Sequence, residues 1–458
     1  MQEMTKMEKI VGLCKRRGFV YQGSEIYGGL AGTWDYGPLG VALKNNIKKL
    51  WWERFVLGRE DVYGLDAAII MNPAAWVASG HAQGFADPAV QCKKCGAYWR
   101  TDHVIASQLV EEGNYLCPLG SCRTALGTEE ELNKQSKSFN MMFTTSVGAG
   151  EESAIKTYLR PETAGGIFVN YKNVLDSMHP KLPFGIAQIG KAFRNEIAPR
   201  DFLFRAREFE QMEIEYFINP KTWETTFEEW REEMHGWIKA IGLPVSMVHE
   251  LEVPKEDLAH YSRRTIDFEF DYPFGRSELY GMAYRTDFDL ASHAQASGVD
   301  LTYFDEATGE RFLPHVIEPS LGVDRTALAL LYASYTEDSM NEDSRVFLKL
   351  SPRLAPVTVA VFPLLRNKTE LVARAREIYA LLRQAQVGAV VFDDNGNVGK
   401  RYRRQDEIGT PWCVTVDFDT LGEKPEARDT VTLRDRDTGK QERVNINELT
   451  DILESKLV

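Results

Sequence analysis

Long apolar runs are absent from this 458-residue sequence. Although 43% of the residues are hydrophobic, no stretch approaches the roughly 20 consecutive apolar residues that a transmembrane helix needs. The first residues, MQEMTKMEKI, also lack the apolar segment of a secretory signal peptide. Both absences predict a cytoplasmic protein that has no contact with the membrane.

An excess of positive charge is missing as well. The chain has 54 Lys and Arg against 67 Asp and Glu, a formal net charge of −13, which argues against a protein that binds polyanions over its whole surface. Residues 355–458 are closer to neutral, with 16 Lys and Arg against 17 Asp and Glu. Because association depends on the local field, a basic patch in this part can still contact RNA.

Cysteine is scarce, and four of the six cysteines lie close together in the sequence. Cys92, Cys95, Cys117 and Cys122 form the pattern C-x2-C-x21-C-x4-C. Two such pairs can supply the four sulfur ligands of a structural zinc ion, and clustering in a cytoplasmic chain favours metal over disulfides. The second pair is more widely spaced than usual, so reduced cysteines without metal remain the alternative.

The most informative stretch, 193–217, reads FRNEIAPRDFLFRAREFEQMEIEYF. Its ends alternate polar and apolar residues as strands do, while its middle carries a proline and several arginines, which predicts a long antiparallel hairpin. Its mixture of arginines and glutamates suits a ligand that carries both phosphate and ammonium groups. A solvated hairpin with ordinary salt bridges is the alternative.

Further segments have local patterns that predict strands. Residues 62–71 read as one strand, and residues 138–148 and 158–171 read as two more, the last one broken by a Gly-Gly pair. Residues 313–335 begin as a strand and continue as an apolar helix that carries Arg325 in its first turns. An arginine beside so much hydrocarbon requires an anion or a carboxylate partner.

The chain is predicted to divide at the proline-bounded segment 351–356. Alternating strand patterns predominate before this segment, whereas strands and helices alternate after it, as in a small α/β domain. We therefore predict a large domain over 1–350 and a small domain over 357–458. The large domain is predicted to hold a Cys-rich insertion at about 90–135 and a helical insertion at about 221–262.

Several motifs occur in an order that points to a known family. They are IYGGLAGTWDYGPLG, WRTDH within the Cys-rich insertion, FNMMF, RPETAGGIFVN, FRNE followed by REFEQMEIEYF, and EPSLGVDR. Over essentially the whole chain they resemble class II aminoacyl-tRNA synthetases, specifically the homodimeric glycyl-tRNA synthetases. The resemblance implies an α+β fold, in which an antiparallel sheet flanked by helices forms the catalytic domain and a C-terminal α/β anticodon-binding domain follows. It also implies a homodimer whose interface contains the helix and strand that end at Pro73.

The resemblance implies a reaction in two steps. Glycine attacks the α-phosphorus of ATP to give glycyl-adenylate and pyrophosphate, and a terminal ribose hydroxyl of tRNA(Gly) then attacks the acyl carbon. ATP and Mg²⁺ are the implied cofactors. The implied ATP-binding residues are Arg194, Glu196, Arg205, Phe209, Glu278 and Arg325. Arg194 and Arg325 are the implied catalytic residues, since a guanidinium can bridge two phosphoryl oxygens. Glu278 and Glu318 are implied ligands or orienters of Mg²⁺, which prefers carboxylate oxygens.

The implied glycine site contains three glutamates, Glu162, Glu213 and Glu318, around the ammonium group. Arg285 is placed at the carboxylate of glycine, and Ser320 closes the space beside the α-carbon. A pocket that is filled up to the α-carbon rejects every larger amino acid by collision, so hydrolytic editing is less needed.

Two further contacts are implied with substrate or tRNA. Arg100, in the Cys-rich insertion, is placed near substrate or the acceptor end of tRNA. In the C-terminal domain, a basic run with one aromatic ring combines phosphate-binding charge with base stacking, as an anticodon loop requires. This run comprises Lys400, Arg401, Tyr402, Arg403 and Arg404.

Two other functions remain open from the sequence. A non-catalytic, synthetase-like accessory subunit that binds nucleic acid would be expected to lose the ATP-binding residues, yet Arg194, Phe209 and Arg325 are present. A ligase of the same subclass for threonine, proline, histidine or serine is disfavoured by the contexts RPETAGGIF and EPSLGVDR.

Overall fold

The computed structural model describes residues 4–150, 153–340 and 343–457. Its α-helices are α1 (Lys6–Arg17), α2 (Pro38–Trp52), α3 (Pro73–Ala78), α4 (His81–Gly84), α5 (Thr101–Ala106), α6 (Glu129–Gln135), α7 (Ala164–Met178), α8 (Trp223–Ala240), α9 (Phe288–Ser297), α10 (Val323–Ser334), α11 (Thr369–Gln384), α12 (Val398–Ile408) and α13 (Leu449–Ser455). Its strands are β1 (Val20–Gln22), β2 (Trp34–Tyr36), β3 (Val62–Gly64), β4 (Ala86–Gln91), β5 (Tyr98–Arg100), β6 (Val110–Glu111), β7 (Asn114–Leu116), β8 (Ala125–Gly127), β9 (Lys137–Asn140), β10 (Thr144–Val147), β11 (Ile155–Tyr158), β12 (Phe184–Phe193), β13 (Glu208–Ile218), β14 (Val248–Glu252), β15 (Arg264–Tyr272), β16 (Gly275–Thr286), β17 (Tyr303–Phe304), β18 (Arg311–Phe312), β19 (His315–Gly322), β20 (Tyr335–Met340), β21 (Asp343–Leu348), β22 (Val359–Pro363), β23 (Val390–Phe392), β24 (Trp412–Val416), β25 (Thr430–Asp435) and β26 (Gln441–Asn445). Within the described ranges, no helix is both long and apolar enough to cross a bilayer.

A seven-stranded sheet forms the centre of the large domain, in the order β14-β15-β16-β19-β13-β12-β3. Its strand pairs are antiparallel except for β3, which lies parallel to β12. The predicted hairpin is confirmed, because β12 and β13 pair from Phe184 opposite Phe217 to Phe193 opposite Glu208. The residues between these strands, 194–207, form the tip of the hairpin.

Hydrophobic cores lie on both faces of this sheet. Successive residues of a strand point to opposite faces, so Tyr216 packs into the core that holds α2, α8 and α10, while Phe217 packs into the core that holds α7 and α9. The predicted α+β class, an antiparallel sheet flanked by helices, is therefore confirmed. Gln211, Glu213 and Ser320, on the adjacent central strands β13 and β19, are thereby held between two packed layers.

The segment 221–262 differs from the predicted helical insertion. Helix α8 buries Trp230 and Trp237 in the main core, and β14 pairs with β15 as an edge strand of the central sheet. The segment is thus part of the large domain's own architecture, since its apolar stripe is needed to complete that core.

One predicted strand is wrong: residues 158–171 leave β11 at Tyr158 and continue into α7. The Gly-Gly pair serves close packing there. A Cβ on Gly165 would lie 2.8 Å from the Trp76 ring, and one on Gly166 would lie 2.7 Å from the Ala67 Cβ. The pair therefore lets the helix approach its neighbours, which a strand pattern read from the sequence does not reveal. The strand predicted over 62–71 is also shorter and ends at Gly64.

The Cys-rich region forms two small three-stranded sheets, β5-β4-β9 and β6-β7-β8. A small apolar cluster that includes Val90, Val104 and Leu132 packs around Cys92 and Cys117. So few apolar side chains stabilise a region of this size weakly, which favours an additional crosslink.

The C-terminal part contains a five-stranded sheet in the order β23-β22-β24-β25-β26. Strand β22 is parallel to both of its neighbours, and α11 and α13 cover the sheet with a separate hydrophobic core. The predicted α/β domain is confirmed. The segment 351–356 is packed and not a free linker, because the carbonyl oxygens of Leu354 and Ala355 accept hydrogen bonds from Asn46 Nδ2 at 3.3 and 3.1 Å.

Candidate active site

A cleft of about 260 Å³ opens beside the tip of the β12–β13 hairpin, above β13, β16 and β19. It collects residues that are far apart in the sequence. Eight predicted site residues line it, namely Arg100, Arg194, Glu196, Arg205, Phe209, Glu278, Ser320 and Arg325. We call the part around Arg194, Arg205 and Arg325 the arginine side, and the adjoining group of Glu162, Glu213, Glu215 and Glu318 the glutamate side.

Arg194 is the open cation of the arginine side. It directly follows β12, its Nε donates to the carbonyl oxygen of Pro161 at 3.0 Å, and its guanidinium lies 5.2 Å from the ring centre of Phe209. Among the described residues, no carboxylate lies within salt-bridge distance of this guanidinium. The group is thus oriented by a carbonyl and a ring, and it keeps donors for an incoming anion.

Arg325 has the carboxylate partner that its apolar helix requires. Its Nη1 lies 3.0 Å from Glu278 Oε2, and its guanidinium lies 4.5 Å from the ring centre of Phe204. The charge of Arg325 lowers the pKa of Glu278, against the opposing effect of burial. Arg205 approaches Glu196 more loosely, with 3.9 Å between Nη1 and Oε2. Glu278 and Glu196 each have an arginine partner at the cleft, and either pair can open to bind a ligand.

Asp324 fixes the floor of the cleft, although the sequence did not point to it. Its Oδ2 accepts from the backbone N–H of Glu210 at 2.6 Å, and its Oδ1 lies 3.2 Å from Lys44 Nζ. Lys44 Nζ also lies 3.0 Å from Glu210 Oε2. These contacts join α2, β13 and the first turn of α10, which carries Arg325.

On the glutamate side, Glu213 is fully enclosed by donors. Ser320 Oγ donates to its Oε1 at 2.8 Å, the backbone N–H of Thr163 donates to Oε2 at 3.1 Å, and Gln211 Nε2 donates to Oε1 at 3.3 Å. One carboxylate oxygen each from Glu213, Glu215 and Glu318 lies within 4.8 Å of the other two. Carboxylates this close together repel one another as anions, so their proximity favours the protonated form of one of them.

Glu162 is paired with His81, a residue that the sequence gave no reason to single out. His81 Nε2 lies 3.2 Å from Glu162 Oε2, and His81 Nδ1 lies 2.8 Å from Ser79 Oγ. Burial opposes the charge of Glu162, but His81 and the arginines nearby lower its pKa to about 2. Burial also lowers the pKa of His81, yet the charge of Glu162 outweighs it and raises that pKa. Each partner therefore favours the charged form of the other, against the cost of burial.

Arg285 lies in the interior beneath the cleft. Its Nε and Nη2 each donate to Asp289 at 2.9 Å, and its Nη1 donates to Glu318 at 2.8 Å. The ring of Tyr261 lies 3.8 Å from the guanidinium carbon. The predicted contact of Arg285 with a substrate carboxylate would have to use the donors that remain. Arg285 lies at the end of β16 and Asp289 in the first turn of α9, so the turn from strand to helix brings the two together. Without this turn, the sequence gave no reason to pair them.

Comparison with known proteins agrees with this geometry. Residues 143–335 match the family described as "tRNA synthetase class II core domain (G, H, P, S and T)", and residues 358–456 match "Anticodon binding domain". Glycine–tRNA ligases of Bacillus cereus and Alkaliphilus oremlandii are both 48% identical to the chain. The alignments cover 99% of this chain and 100% of the Bacillus relative, and 98% of both chains for the Alkaliphilus relative. The glycine–tRNA ligase of Deinococcus radiodurans is 46% identical over 99% of each chain.

The chain belongs to the glycine–tRNA ligases. The relatives are named as enzymes, so the alternative of a non-catalytic accessory subunit has no support. They are named for glycine, so a ligase for another amino acid has no support either.

In this ligase, Arg100 is held by two aspartates. Its Nη1 donates to Asp87 at 2.9 Å, and its Nε and Nη2 donate to Asp102 at 3.1 and 2.6 Å. The side chain lines the cleft with three nitrogens engaged, and these bonds hold β4, β5 and α5 of the Cys-rich region together.

The four clustered cysteines of the ligase converge. The Sγ atoms of Cys92 and Cys122 are 3.7 Å apart, and those of Cys95 and Cys117 are 3.8 Å apart. A zinc ion with Zn–S bonds of about 2.3 Å at the centre of a tetrahedron needs sulfur atoms about 3.8 Å apart. The donor set therefore fits zinc in number, type and spacing.

Two predicted RNA contacts in the C-terminal domain of the ligase, Arg401 and Tyr402, use their polar atoms inside the domain. Arg401 is 1% exposed, and its guanidinium donates to the carbonyl oxygens of Pro363, Asn395, Asp394 and Gly396. Tyr402 is half-buried, with its hydroxyl 2.6 Å from Thr415 Oγ1. These two side chains hold the domain together, because their polar atoms already bond inside it. Lys400 is exposed, whereas Arg404 pairs with Asp393 at 2.7 Å and Arg403 bonds the carbonyl oxygen of Ser344.

A crevice of about 460 Å³ opens beside this run, at the carboxyl ends of β22 and β23. It is lined by the loops that lead into α11 and α12, including Arg366, Asn367 and Asn397. The helix that follows β22, α11, and the helix that follows β23, α12, pack on opposite faces of the sheet, and such switch points of parallel sheets commonly bind ligands. The sequence analysis missed Arg366, because a single arginine in a loop gives no signal.

Proposed function

We propose that the chain joins glycine to tRNA(Gly) through a glycyl-adenylate, with the arginine side of the cleft holding ATP and the glutamate side holding glycine. The observation that carries this proposal is the continuity of the two sides. Ser320 lines the same cleft as Arg194 and Phe209, and it bonds Glu213 directly. The two proposed binding regions thus adjoin at Ser320, so both reactants can meet at one cleft, which favours an in-line reaction.

In the proposed first step, a carboxylate oxygen of glycine forms a bond to the α-phosphorus of ATP, and the bond to the pyrophosphate leaving group breaks. Arg194 would bind the α-phosphate, with the adenine stacked on Phe209 next to it. Arg205 and Arg325 would bind the distal phosphates, and Glu196 would hold Arg205 in place. Developing charge on the phosphoryl oxygens is stabilised by donors that are already oriented. In the second step, a terminal ribose hydroxyl of tRNA attacks the acyl carbon and AMP leaves.

Class II synthetases in general use ATP together with Mg²⁺. Glu278 fits a magnesium ligand, because its side chain is 48% exposed and offers hard carboxylate oxygen beside Arg325. When bound, the ion would neutralise charge on the phosphates. Arg325 would then keep Glu278 oriented toward the distal phosphates.

For glycine, we propose that Glu213, Glu162 and Glu318 surround the ammonium group and that Ser320 limits the space at the α-carbon. Arg285 would act chiefly by holding Glu318, to which it donates at 2.8 Å. A pocket with these walls rejects larger amino acids by collision.

ATP–pyrophosphate exchange with a panel of amino acids tests this function, followed by charging of tRNA(Gly). Exchange with glycine and its near absence with alanine, serine, threonine, proline and histidine is the expected result. Exchange with another amino acid in preference to glycine would refute the assignment of the glutamate side.

We propose that the crevice beside α12 receives the anticodon loop. Arg366 lines the crevice and is exposed, and Lys400 is exposed on α12 beside Gly396 of the crevice wall. Asn367 and Asn397 offer amide groups to base edges. The phosphate backbone of RNA needs such cations, and unpaired bases need hydrogen-bonding partners.

We also propose a structural zinc ion on Cys92, Cys95, Cys117 and Cys122, and a homodimer. Elemental analysis should find about one zinc per chain, and a metal-free protein with normal activity would refute the site.

For the dimer, exposed apolar side chains near α3 form a patch of the kind that interfaces bury, with Ile70 49%, Val77 52% and Ile155 60% exposed. Sedimentation of the full chain as a monomer at micromolar concentration would refute it. Since the proposed substrate is tRNA, we place the protein in the cytoplasm, which cell fractionation checks.

A further inference from the structure

Glu215 is the one member of the glutamate side to which the proposed reaction gives no task. It lies two residues after Glu213 on β13, so both side chains point to the same face of the sheet. Strands β13 and β19 are antiparallel, with Glu213 opposite Ser320 and Tyr216 opposite Ile317. This register brings Glu215 across from Glu318, and one carboxylate oxygen of each lies within 4.8 Å of the other.

The surroundings of Glu215 differ from those of its neighbours. Glu215 is 0% exposed, and within the described part of the chain neither of its carboxyl oxygens has a hydrogen-bond partner. Glu213 accepts from Ser320, and Glu318 accepts from Arg285. A charged carboxylate that is buried without a donor costs several kcal/mol or more, and a second carboxylate opposite it adds repulsion.

Both costs disappear if Glu215 carries a proton. A neutral carboxyl group has an O–H donor, and both neighbouring carboxylates lie within the same 4.8 Å. Both oxygens of Glu213 already accept hydrogen bonds, whereas Arg285 donates to only one oxygen of Glu318, so Glu318 is the acceptor that remains. After side-chain rotation, one proton can link the two groups, as in other pairs of carboxyls that share a site.

We propose that Glu215 is a positioning residue, which remains a neutral carboxylic acid and donates its hydrogen to Glu318. Glu318 is then held from two directions, by Arg285 and by Glu215, and it presents one negative charge to the glycine ammonium. The inference rests on the proposed glycine-binding role of Glu318. Glu215 itself does not touch substrate, because it has no exposed surface.

The electrostatics of the site agree with this geometry. Burial, and then the charge of Glu318, raise the pKa of Glu215 well above its usual range, and Arg285 only partly opposes this. Burial also raises the pKa of Glu318, but the charge of Arg285 and its hydrogen bond to Glu318 oppose this. The other charged groups that face Glu215 are Glu213 on its own strand and Asp289 on α9. Since Glu318 contacts Arg285 and Glu215 contacts no cation, the shared proton belongs on Glu215.

Two substitutions at position 215 separate a neutral donor from a charged group. Glu215→Gln keeps a donor of nearly the same shape and cannot ionise, so the KM for glycine in pyrophosphate exchange should stay within about threefold of the parent value. Glu215→Leu removes the donor, and the KM for glycine should rise roughly tenfold, as expected for one lost hydrogen bond to a charged group. The KM for ATP should change in neither variant.

Glu213→Gln provides the matched comparison, because Glu213 is proposed to meet the ammonium as a charge. A loss of glycine binding in Glu215→Gln that equals the loss in Glu213→Gln would overturn the proposal. So would normal glycine binding in Glu215→Leu.

Difference infrared spectroscopy tests the proton without any substrate and without activity. At pH 7, subtracting the spectrum of Glu215→Gln from that of the parent protein should reveal the C=O band of a protonated carboxyl group. Glu210→Gln should give no such band, since Glu210 is ionised by Lys44 and Lys48 on the same sheet face. Absence of the band for Glu215→Gln would overturn the proposal even if Glu215→Leu failed to fold. If the parent protein showed no exchange with glycine, the proposed function would fail, while the infrared result would still decide the state of Glu215.

Discussion

The arginine side and the glutamate side of the cleft are built on the same hairpin, yet they treat charge differently. Arg194 has no carboxylate partner among the described residues, and Arg325 shares a half-exposed glutamate at 3.0 Å. On the glutamate side, Glu213 accepts from Ser320, Thr163 and Gln211, and Glu162 is paired with His81. The arginine side thus keeps unused donors for a large anion. On the glutamate side, hydrogen bonds within the protein already hold the carboxylates in place before the much smaller ligand binds.

The difference between the two sides corresponds to different ways of recognising the triphosphate and glycine. A triphosphate is recognised mainly by its charge, so open guanidiniums suffice and can adjust to it. Glycine has no side chain, so only the size and rigidity of its pocket can distinguish it from alanine.

Arg194→Ala should have the largest effect. The loss of a preoriented donor at the reacting phosphate should reduce the rate of ATP–pyrophosphate exchange by about 10²- to 10³-fold, with little change in the KM for glycine. Arg311→Ala is the control, because Arg311 stacks on Phe304 at 5.0 Å and does not line the cleft. Exchange at the parental rate in Arg194→Ala would remove Arg194 from the reaction.

Ser320→Ala should change selection and not catalysis. The variant frees space beside the α-carbon and removes a donor to Glu213, so the ratio of kcat/KM for glycine to that for alanine should fall by roughly tenfold. Exchange assays with both amino acids measure this ratio. An unchanged ratio would show that Ser320 does not limit the pocket, and the contrast between the two sides would lose its basis.

Arg366→Gln tests whether an exposed arginine also binds phosphate in the C-terminal crevice, where the ligand is proposed to be RNA. Loss of one exposed phosphate contact should raise the KM for tRNA by about three- to tenfold and reduce the salt dependence of binding by about one unit of slope. Pyrophosphate exchange without tRNA should not change. Arg383→Gln is the matched control, since Arg383 lies in the last turn of α11, at the opposite end of the parallel strands. Equal effects in both variants would mean general charge attraction and no site in the crevice.

The pair of His81 and Glu162 should give the smallest effect, visible only in the pH dependence of stability. Because Glu162 raises the pKa of His81 in the folded protein, the stabilisation is fully present below the unfolded value of 6.5 and is lost as the pH rises through the folded value. The difference in the free energy of unfolding between the parent and His81→Gln should therefore shrink from pH 6 to pH 9. Urea unfolding measures it, and a constant difference would show that the pair carries no charge.

The arginine side could be predicted from the sequence more fully than the glutamate side. Arg194, Arg205 and Phe209 lie within one hairpin, whose alternation of polar and apolar residues already indicates its pairing. The glutamates were placed by their resemblance to a family, but their partners were not. His81, Asp289 and Thr163 come from three different elements, and only the tertiary structure brings them to Glu162, Arg285 and Glu213.

The sequence also misjudged positions where local pattern and tertiary role conflict. The glycines of α7 suggested a broken strand, because the close approach of Trp76 that requires them cannot be seen in the sequence. Arg401 and Tyr402 suggested an RNA-binding surface, because a basic run has the same appearance whether it faces solvent or binds carbonyl groups of its own domain.

The contact between Asp324 and the backbone N–H of Glu210 has a consequence for the rate at which the cleft can open. Since Arg325 follows Asp324 directly, the first turn of α10 and the strand that carries Phe209 cannot separate until this bond of 2.6 Å breaks. The amide hydrogen of Glu210 should consequently exchange with solvent only when the two move apart. The hydrogen-exchange rate of the Glu210 amide, measured with and without ATP, would therefore report how often α10 and β13 separate.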